Sequence, residues 1–349
     1  MSTKHFTANV ISATKVVPDG TFTNSAASGV WTLDEHYDLV RGGNWPNAAN
    51  LAPRIIAGGG TENGSSKADI IDYWEMSTQG NAVDFGDLAA ANSQPAALSS
   101  LSRCVFGGGR EGSSNADRIQ FVTFATLGNT SDFGNLTVAT TQLSGLSNQT
   151  RGLFFGGRDS DETNRIEYIT IASASNTTDF GDMSSQKDNV AGCASPTRGL
   201  MMGGFDTSNV RENVIEYVTI ASTGNSSDFG DLLSAVAFGA SASNSTRGLY
   251  GGGNVSGLTN VIQYVTIASL GNATDFGDLL AANEKIEASA SSTHAHFFGG
   301  DTSESSGGDV NVIQQVTIAS TGNATDFCDL TSVFDSHDGS SNAHGGIAA

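Results

Sequence analysis

The stretch Ile215–Leu232, IEYVTIASTGNSSDFGDL, decides the fold. Its first part is rich in β-branched and aromatic residues and reads as a strand, with apolar residues on both faces as in a strand covered on both sides. STGNSS follows with turn chemistry, because glycine and asparagine tolerate positive φ and serine can bond nearby backbone. DFGDL then reads as a short strand with one large buried anchor. The phrase returns as IEYITIASASNTTDFGDM from Ile166 and as IQYVTIASLGNATDFGDL from Ile262. A catalytic loop is needed once; a phrase at near-fixed intervals is architecture.

The phenylalanines of this phrase are Phe85, Phe133, Phe180, Phe229, Phe276 and Phe327, at steps of 48, 47, 49, 47 and 51 residues. Twelve residues before each stands Tyr73, Phe121, Tyr168, Tyr217, Tyr264 or, once, Gln315. Eighteen residues after the first five stand Arg103, Arg151, Arg198, Arg247 and His294, and each is followed five and six residues later by two glycines. Arg54 with Gly59-Gly60 obeys the same rule. RGLFFGG is a further strand, closed by glycines where the chain turns, and the small residues of GASASNST suit a strand at a crowded centre. Each repeat thus carries four short strands and no helix. One such sheet cannot bury both faces alone, whereas sheets stacked around an axis can, so the expectation is an all-β β-propeller of four-stranded antiparallel blades. A parallel β-helix is the competing repeat fold.

The chain has 349 residues, 38% of them hydrophobic and 15% charged, with 43 glycines and a net charge of −20. It is too apolar for disorder, and its acidity disfavours nucleic acid and anionic membranes as partners. No apolar run approaches a membrane span, and MSTKHFTANVISATKVV lacks the apolar stretch of a signal peptide. Cys104, Cys193 and Cys328 have neither disulfide nor metal-ligand spacing, which suggests synthesis in a reducing cytoplasm.

The double glycines and aromatic anchors resemble the kelch-type propeller repeat, with phenylalanine where kelch repeats carry tryptophan. The repeat wording, TRGL(F/Y)GG…TIAS…GNATDFGDL, and the early stretch SGVWTLDEHYDLVRGGNWP look like segments of structural proteins of tailed bacteriophages, particularly marine ones. The resemblance implies a virion component rather than a defined activity.

Six repeats start near residues 54, 103, 151, 198, 247 and 294. The tail SNAHGGIAA aligns with NSTRGLYGG, placing His344 in the arginine slot, and WTLDEHYDL near the N-terminus aligns with the outer strand. The expectation is therefore seven blades within 29–349, the last shared between the termini through a closing half-blade at 332–349. Residues 1–28 would be an arm or an outer strand. Six blades is the alternative.

Each apparent site has a plainer reading. A kinase-type DFG needs a glycine-rich ATP loop, a pairing lysine and an HRD-type loop, and none is present. The glycine runs end strands and precede no helix, as a nucleotide fingerprint would require. Paired aspartates such as Asp228 and Asp231 suit calcium, and equally suit strand ends and turns. His294 and His296 share a strand face but lack a visible third ligand. Asn-X-Ser/Thr triplets such as Asn272-Ala273-Thr274 are explained by the repeated turn. Arg54, Arg103, Arg151, Arg198, Arg247, His294 and His344 are expected to form a ring at one radius, either as clamps or as a surface for an anionic partner. The Phe85, Phe133, Phe180, Phe229, Phe276 and Phe327 positions are expected to be structural anchors. Between the double glycine and the third-strand aromatic the gap varies as 13, 12, 11, 13, 11 and 15 residues. These polar loops join the same two strands and should project from one face. The resulting expectation is a non-enzymatic virion protein, made in the host cytoplasm, attached to capsid or tail as a decoration, knob or fibre component. Its partners would be other virion proteins and further copies of itself, without cofactor, metal, nucleic acid or membrane insertion. A carbohydrate-binding adhesin for a host-surface glycan is the alternative.

Overall fold

The computed structural model describes residues 52–303 and 307–347. All of these but Ala52 belong to one compact unit, Pro53–Ala349. Among them there is no helix, and the strands form five four-stranded and one five-stranded antiparallel sheet, with two three-stranded accessory ladders. Sheet 5 sets the pattern: Ala240–Ser243, Arg247–Gly251, Val261–Thr266 and Thr274–Asp278 pair in that order. Sheets 2, 3, 4 and 6 repeat it, with first strands Ala96–Ser99, Ser144–Ser147, Ala191–Ala194 and Glu287–Ala290. In sheet 1 the first strand is Asp338–Ser341, which pairs with Arg54–Gly58, so the C-terminus completes the sheet that the first repeat begins.

The six first strands lie side by side. Each packs against those of its two neighbours, and the series closes where Asp338–Ser341 meets Ala96–Ser99. Only small side chains permit so close an approach of backbones: a Cβ on Gly145 would sit 2.5 Å from the Ala97 carbonyl oxygen. Between sheets lie five apolar layers, each built from the anchors of one repeat and the third strand of the next.

The repeated DFG phrase has a local explanation. In every sheet the register between third and fourth strands slips by one residue, and the residue left over is the phenylalanine. In sheet 4, Glu216 opposes Asp228 and Ile215 opposes Gly230, so Phe229 is the inserted residue of a β-bulge, 2% exposed. Gly230 follows at φ 148°, and a Cβ there would lie 2.5 Å from the Gly271 carbonyl oxygen of the next repeat's turn. Glycine is required by both conformation and contact.

Those turns also latch the sheets together. The asparagine of each GN-type turn accepts a hydrogen bond from the fourth strand of the preceding sheet, as in Asp231 N to Asn272 Oδ1 (3.1 Å). The same bond joins sheet 6 to sheet 1, from Asp329 N to Asn81 Oδ1 (3.3 Å). A second latch runs from the third strand: Gln263 Oε1 accepts from Leu233 N (2.7 Å), and across the closing seam Asp72 Oδ2 accepts from Thr331 N (3.0 Å).

The expected closing half-blade at 332–349 is placed differently. Asp338–Ser341 is a first strand of sheet 1, and residues 342–347 are turns rather than a second strand. HGGIAA lacks the apolar run that RGLYG brings to a second strand. The proposed partner strand WTLDEHYDL, and residues 1–28, lie outside the described residues.

Candidate functional site at the axial mouth

The repeated basic slot is engaged between sheets. Arg54, Arg103, Arg151, Arg198 and Arg247 each place the guanidinium 4.4–4.7 Å from the centroid of the third-strand aromatic ring of their own sheet. Each also donates to a backbone carbonyl of the next sheet, namely Phe124, Ile171, Ile220, Ile267 or Ile318, at 2.6–2.9 Å. They are clamps to carbonyls rather than to aspartates, combining a charge-assisted bond with a cation–π contact. His294 occupies the sixth slot in a sheet that carries Gln315 in place of the third-strand aromatic, and its Nδ1 meets Thr293 Oγ1 (3.0 Å). The seam from sheet 6 to sheet 1 is held instead by Trp74, which packs edge-on to Phe298 and donates from Nε1 to His296 Nδ1 (3.0 Å). His344 lies apart from this ring. It sits on the axis, with Nε2 3.2 Å from Ser147 Oγ, and Gly345 N donates to Ser243 O (2.8 Å). Phe85, Phe133, Phe180, Phe229, Phe276 and Phe327 are all buried.

A second set of departures from the repeat lies at the opposite end of the axis. Nine residues after each anchor phenylalanine, where the chain turns into a first strand, stand Gln94, Gln142, Asn189, Phe238, Lys285 and Ser336. All six have φ between 50° and 61°. Non-glycine residues adopt this region at a cost of order 1–3 kcal/mol each when the surroundings impose it. The constraint is a hoop of backbone bonds: Gln94 N to Ser336 O (2.7 Å), Ser336 N to Lys285 O (3.3 Å), Lys285 N to Phe238 O (2.8 Å) and Asn189 N to Gln142 O (3.1 Å). The hoop rims a solvent-open cavity of about 80 Å³. The long loops between second and third strands stand beside it, because they pair with the same crossover segments: Arg110–Glu111 with Asn92–Ser93, Phe205–Asp206 with Lys187 and Asp188, and Thr61–Glu62 with Phe334–Asp335.

Below the hoop, the residue opening each first strand is Ala96, Ser144, Ala191 or Ala240 in four sheets, and Glu287 or Asp338 in the adjacent last two. These two carboxyl groups line both the mouth and a lower chamber that reaches His344. Asp338 accepts from Ala97 N (2.7 Å) and Gly339 N (2.6 Å), and Glu287 Oε1 accepts from Ala288 N (3.0 Å). Among the described residues neither forms a salt bridge. Burial pushes Asp338 up to about 7 despite its two backbone donors. Burial, and then the neighbouring Asp338 charge, push Glu287 well up as well. His337 lines the mouth with neither ring nitrogen hydrogen-bonded, and burial holds it down to about 3.

Two further groups flank the rim. Phe238 meets Phe205 edge-on at 5.3 Å, with the Arg211 guanidinium 5.3 Å from the Phe205 centroid. Asp301, Asp309 and Asp335 each bring a carboxylate oxygen within 4.8 Å of the others, a spacing a cation could bridge. Lys285 Nζ already stands 3.0 Å from Asp335 and 3.9 Å from Asp301. Burial opposes that ammonium, but the charges of Asp335, Asp301 and Glu284 outweigh it and raise its pKa. The His294–His296 pair gains no third ligand among the described residues. Asp228 is exposed and Asp231 half-buried on a fourth strand.

The mouth residues escaped sequence reading because they share a position and no residue type. The available signal was acid at Glu287 and Asp338, each eleven residues after an anchor, where the other copies carry alanine or serine. Among the described residues no helix is long and apolar enough to cross a membrane. Compared with known proteins, the chain matches no family model and no curated protein.

Proposed function

We propose that the chain is a six-bladed β-propeller closed by its own C-terminal strand, and that it serves as a non-catalytic structural component of a tailed-bacteriophage virion. In this reading it is fixed to capsid or tail, and the loop face with its axial mouth makes the contacts. The observation that carries the proposal is a division of labour. Repeated polar residues are spent between sheets, as the five arginine clamps are, while Glu287, Asp338 and His337, which have no counterpart in the other repeats, stand together at one mouth. The C-terminal strand covers the inner edge of Arg54–Gly58 and completes the closed series of first strands, which suits a particle component that must persist outside a cell. A non-catalytic role is supported by the thiols: Cys104, Cys193 and Cys328 are buried and their pKa values pushed up, Cys193 and Cys328 to about 12.

The resemblance of the repeat wording to phage structural proteins supplies the particle. Peptide mass spectrometry of purified virions, followed by localisation with a specific antibody label in electron micrographs, tests it. Stoichiometric recovery with capsid or tail is expected; absence from washed particles sinks the proposal. A host-surface sugar bound at the same face is the second reading, favoured by half-buried Phe238 beside the amides of Gln142 and Asn189. Binding of the isolated protein to host cells, competed by free sugar, would establish it.

A further inference from the structure

We propose that the axial mouth receives the side chain of a lysine or arginine from the protein on which this chain docks. The inference rests on the proposed docking role for the partner's nature, and on the geometry of the mouth for its chemistry.

The site is built, and it is one-sided in charge. Glu287 and Asp338 stand side by side at the waist of the channel, on adjacent first strands, and are joined by no internal cation among the described residues. The nearest candidate, Lys285, is drawn outward to Asp335 and Asp301. The other ionisable groups facing the pair are His337 at the mouth, His344 and Cys193 in the chamber below, and Cys104 beside Asp338, all held neutral by burial. A buried and a half-buried carboxyl group side by side without a counter-charge are costly, and a cation arriving from outside removes that cost.

The walls above the pair choose the kind of cation. Pro95, Leu143, Val190 and Ile286 line the mouth and are buried. They give apolar patches for an aliphatic stem among the uncharged polar side chains of Gln94, Gln142, Ser144, Asn189 and Ser336, with the acids at its end. The rim residues Lys285 and Ser336 lie two positions before Glu287 and Asp338, a depth of about 6–7 Å along a strand. That depth suits an extended lysine or arginine side chain. A bare divalent ion fits less well, because calcium asks for six to eight oxygens and, among the described residues, the only carboxyl groups at the waist are Glu287 and Asp338. A net charge of −20 on the chain adds long-range attraction for a basic partner.

Entry of a cation between the carboxyl groups favours their ionised forms, so binding near neutral pH releases a proton. The test uses the full-length protein and Nα-acetyl-lysine methylamide, titrated calorimetrically in two buffers of different ionisation enthalpy. The neutral norleucine analogue, calcium chloride and methyl glucoside serve as parallel probes. Expected are millimolar binding of the lysine probe with proton release, and a loss of about tenfold or more for the norleucine analogue. Glu287→Gln and Asp338→Asn should each weaken the lysine probe similarly. The wild-type comparison of charged and neutral probes needs no variant, so it decides the matter even if a substitution unfolds the protein. Equal binding of the two analogues, no saturable lysine binding, or preferential binding of calcium or the sugar overturns the proposal. Absence of the chain from virions would leave a measured cation preference standing, and loss of that preference would leave a virion location standing.

Discussion

Arg198→Met removes one inter-sheet clamp while keeping most of its aliphatic packing. Two interactions are lost. One is the bond from Arg198 Nη1 to the Ile267 carbonyl at 2.6 Å, which joins sheet 4 to sheet 5. The other is the stacking of the guanidinium 4.5 Å from the Tyr217 centroid and 5.9 Å from that of Phe229. A hydrogen bond from a charged donor contributes about 1.5–3 kcal/mol, toward the lower end for this half-buried group. A cation–π contact adds about 0.5–1 kcal/mol. Together they predict a loss of about 2 kcal/mol, read as a lowered urea midpoint at unchanged slope. The cycle with Tyr217→Leu isolates the stacking and should give a coupling of about 0.5–1 kcal/mol. His294→Met, in the slot that makes no such clamp, is the control and should cost less. A change below about 0.5 kcal/mol for Arg198→Met, typical of an unengaged surface residue, would refute the clamp. So would an equal loss for His294→Met.

Three further outcomes follow from the same contacts. Gly230→Ala drives a Cβ to 2.5 Å from the Gly271 carbonyl oxygen and should cost about 3 kcal/mol or more, whereas Gly224→Ala, with no atom within 4 Å, should cost clearly less in the same urea titration. Asp338 holds its proton more tightly when folded, so its contribution to stability is present below its ordinary carboxylate range and is lost as pH rises to about 7. The stability of Asp338→Asn should therefore gain on the wild type between about pH 4 and 7, and a constant difference across that range would contradict the buried carboxyl. Deleting residues 338–349 leaves one edge of Arg54–Gly58 unpaired beside the axis; size-exclusion chromatography should show oligomers or aggregates, and a monodisperse monomer as stable as the full chain would refute closure by that strand.

The four-strand repeat was legible because its signals are local and recur at fixed spacing. Arg198, Tyr217 and Phe229 occupy one geometric unit, and their counterparts do so in other sheets. The DFG triplet was legible as architecture, but not as a bulge: nothing in Phe229 itself announces that it is the inserted residue, since the slip depends on which residue Ile215 finally opposes. The number of sheets was harder. HGG at His344 imitates the RGLYGG of a second strand, whereas the segment that pairs is Asp338–Ser341, whose small polar residues match GASAS in character and hardly in letters. The mouth was least legible, because positive φ at Gln94, Phe238 or Lys285 is imposed by the hoop of neighbouring carbonyls and not by the residue chosen.

The account stands or falls on six sheets arranged around one axis, with the first completed by the last strand of the chain. A density map of the purified protein viewed down that axis measures this directly. It should resolve six radial sheets around a channel, with Asp338–Ser341 beside Arg54–Gly58. Seven sheets, a linear stack, or a C-terminal strand paired elsewhere would contradict it.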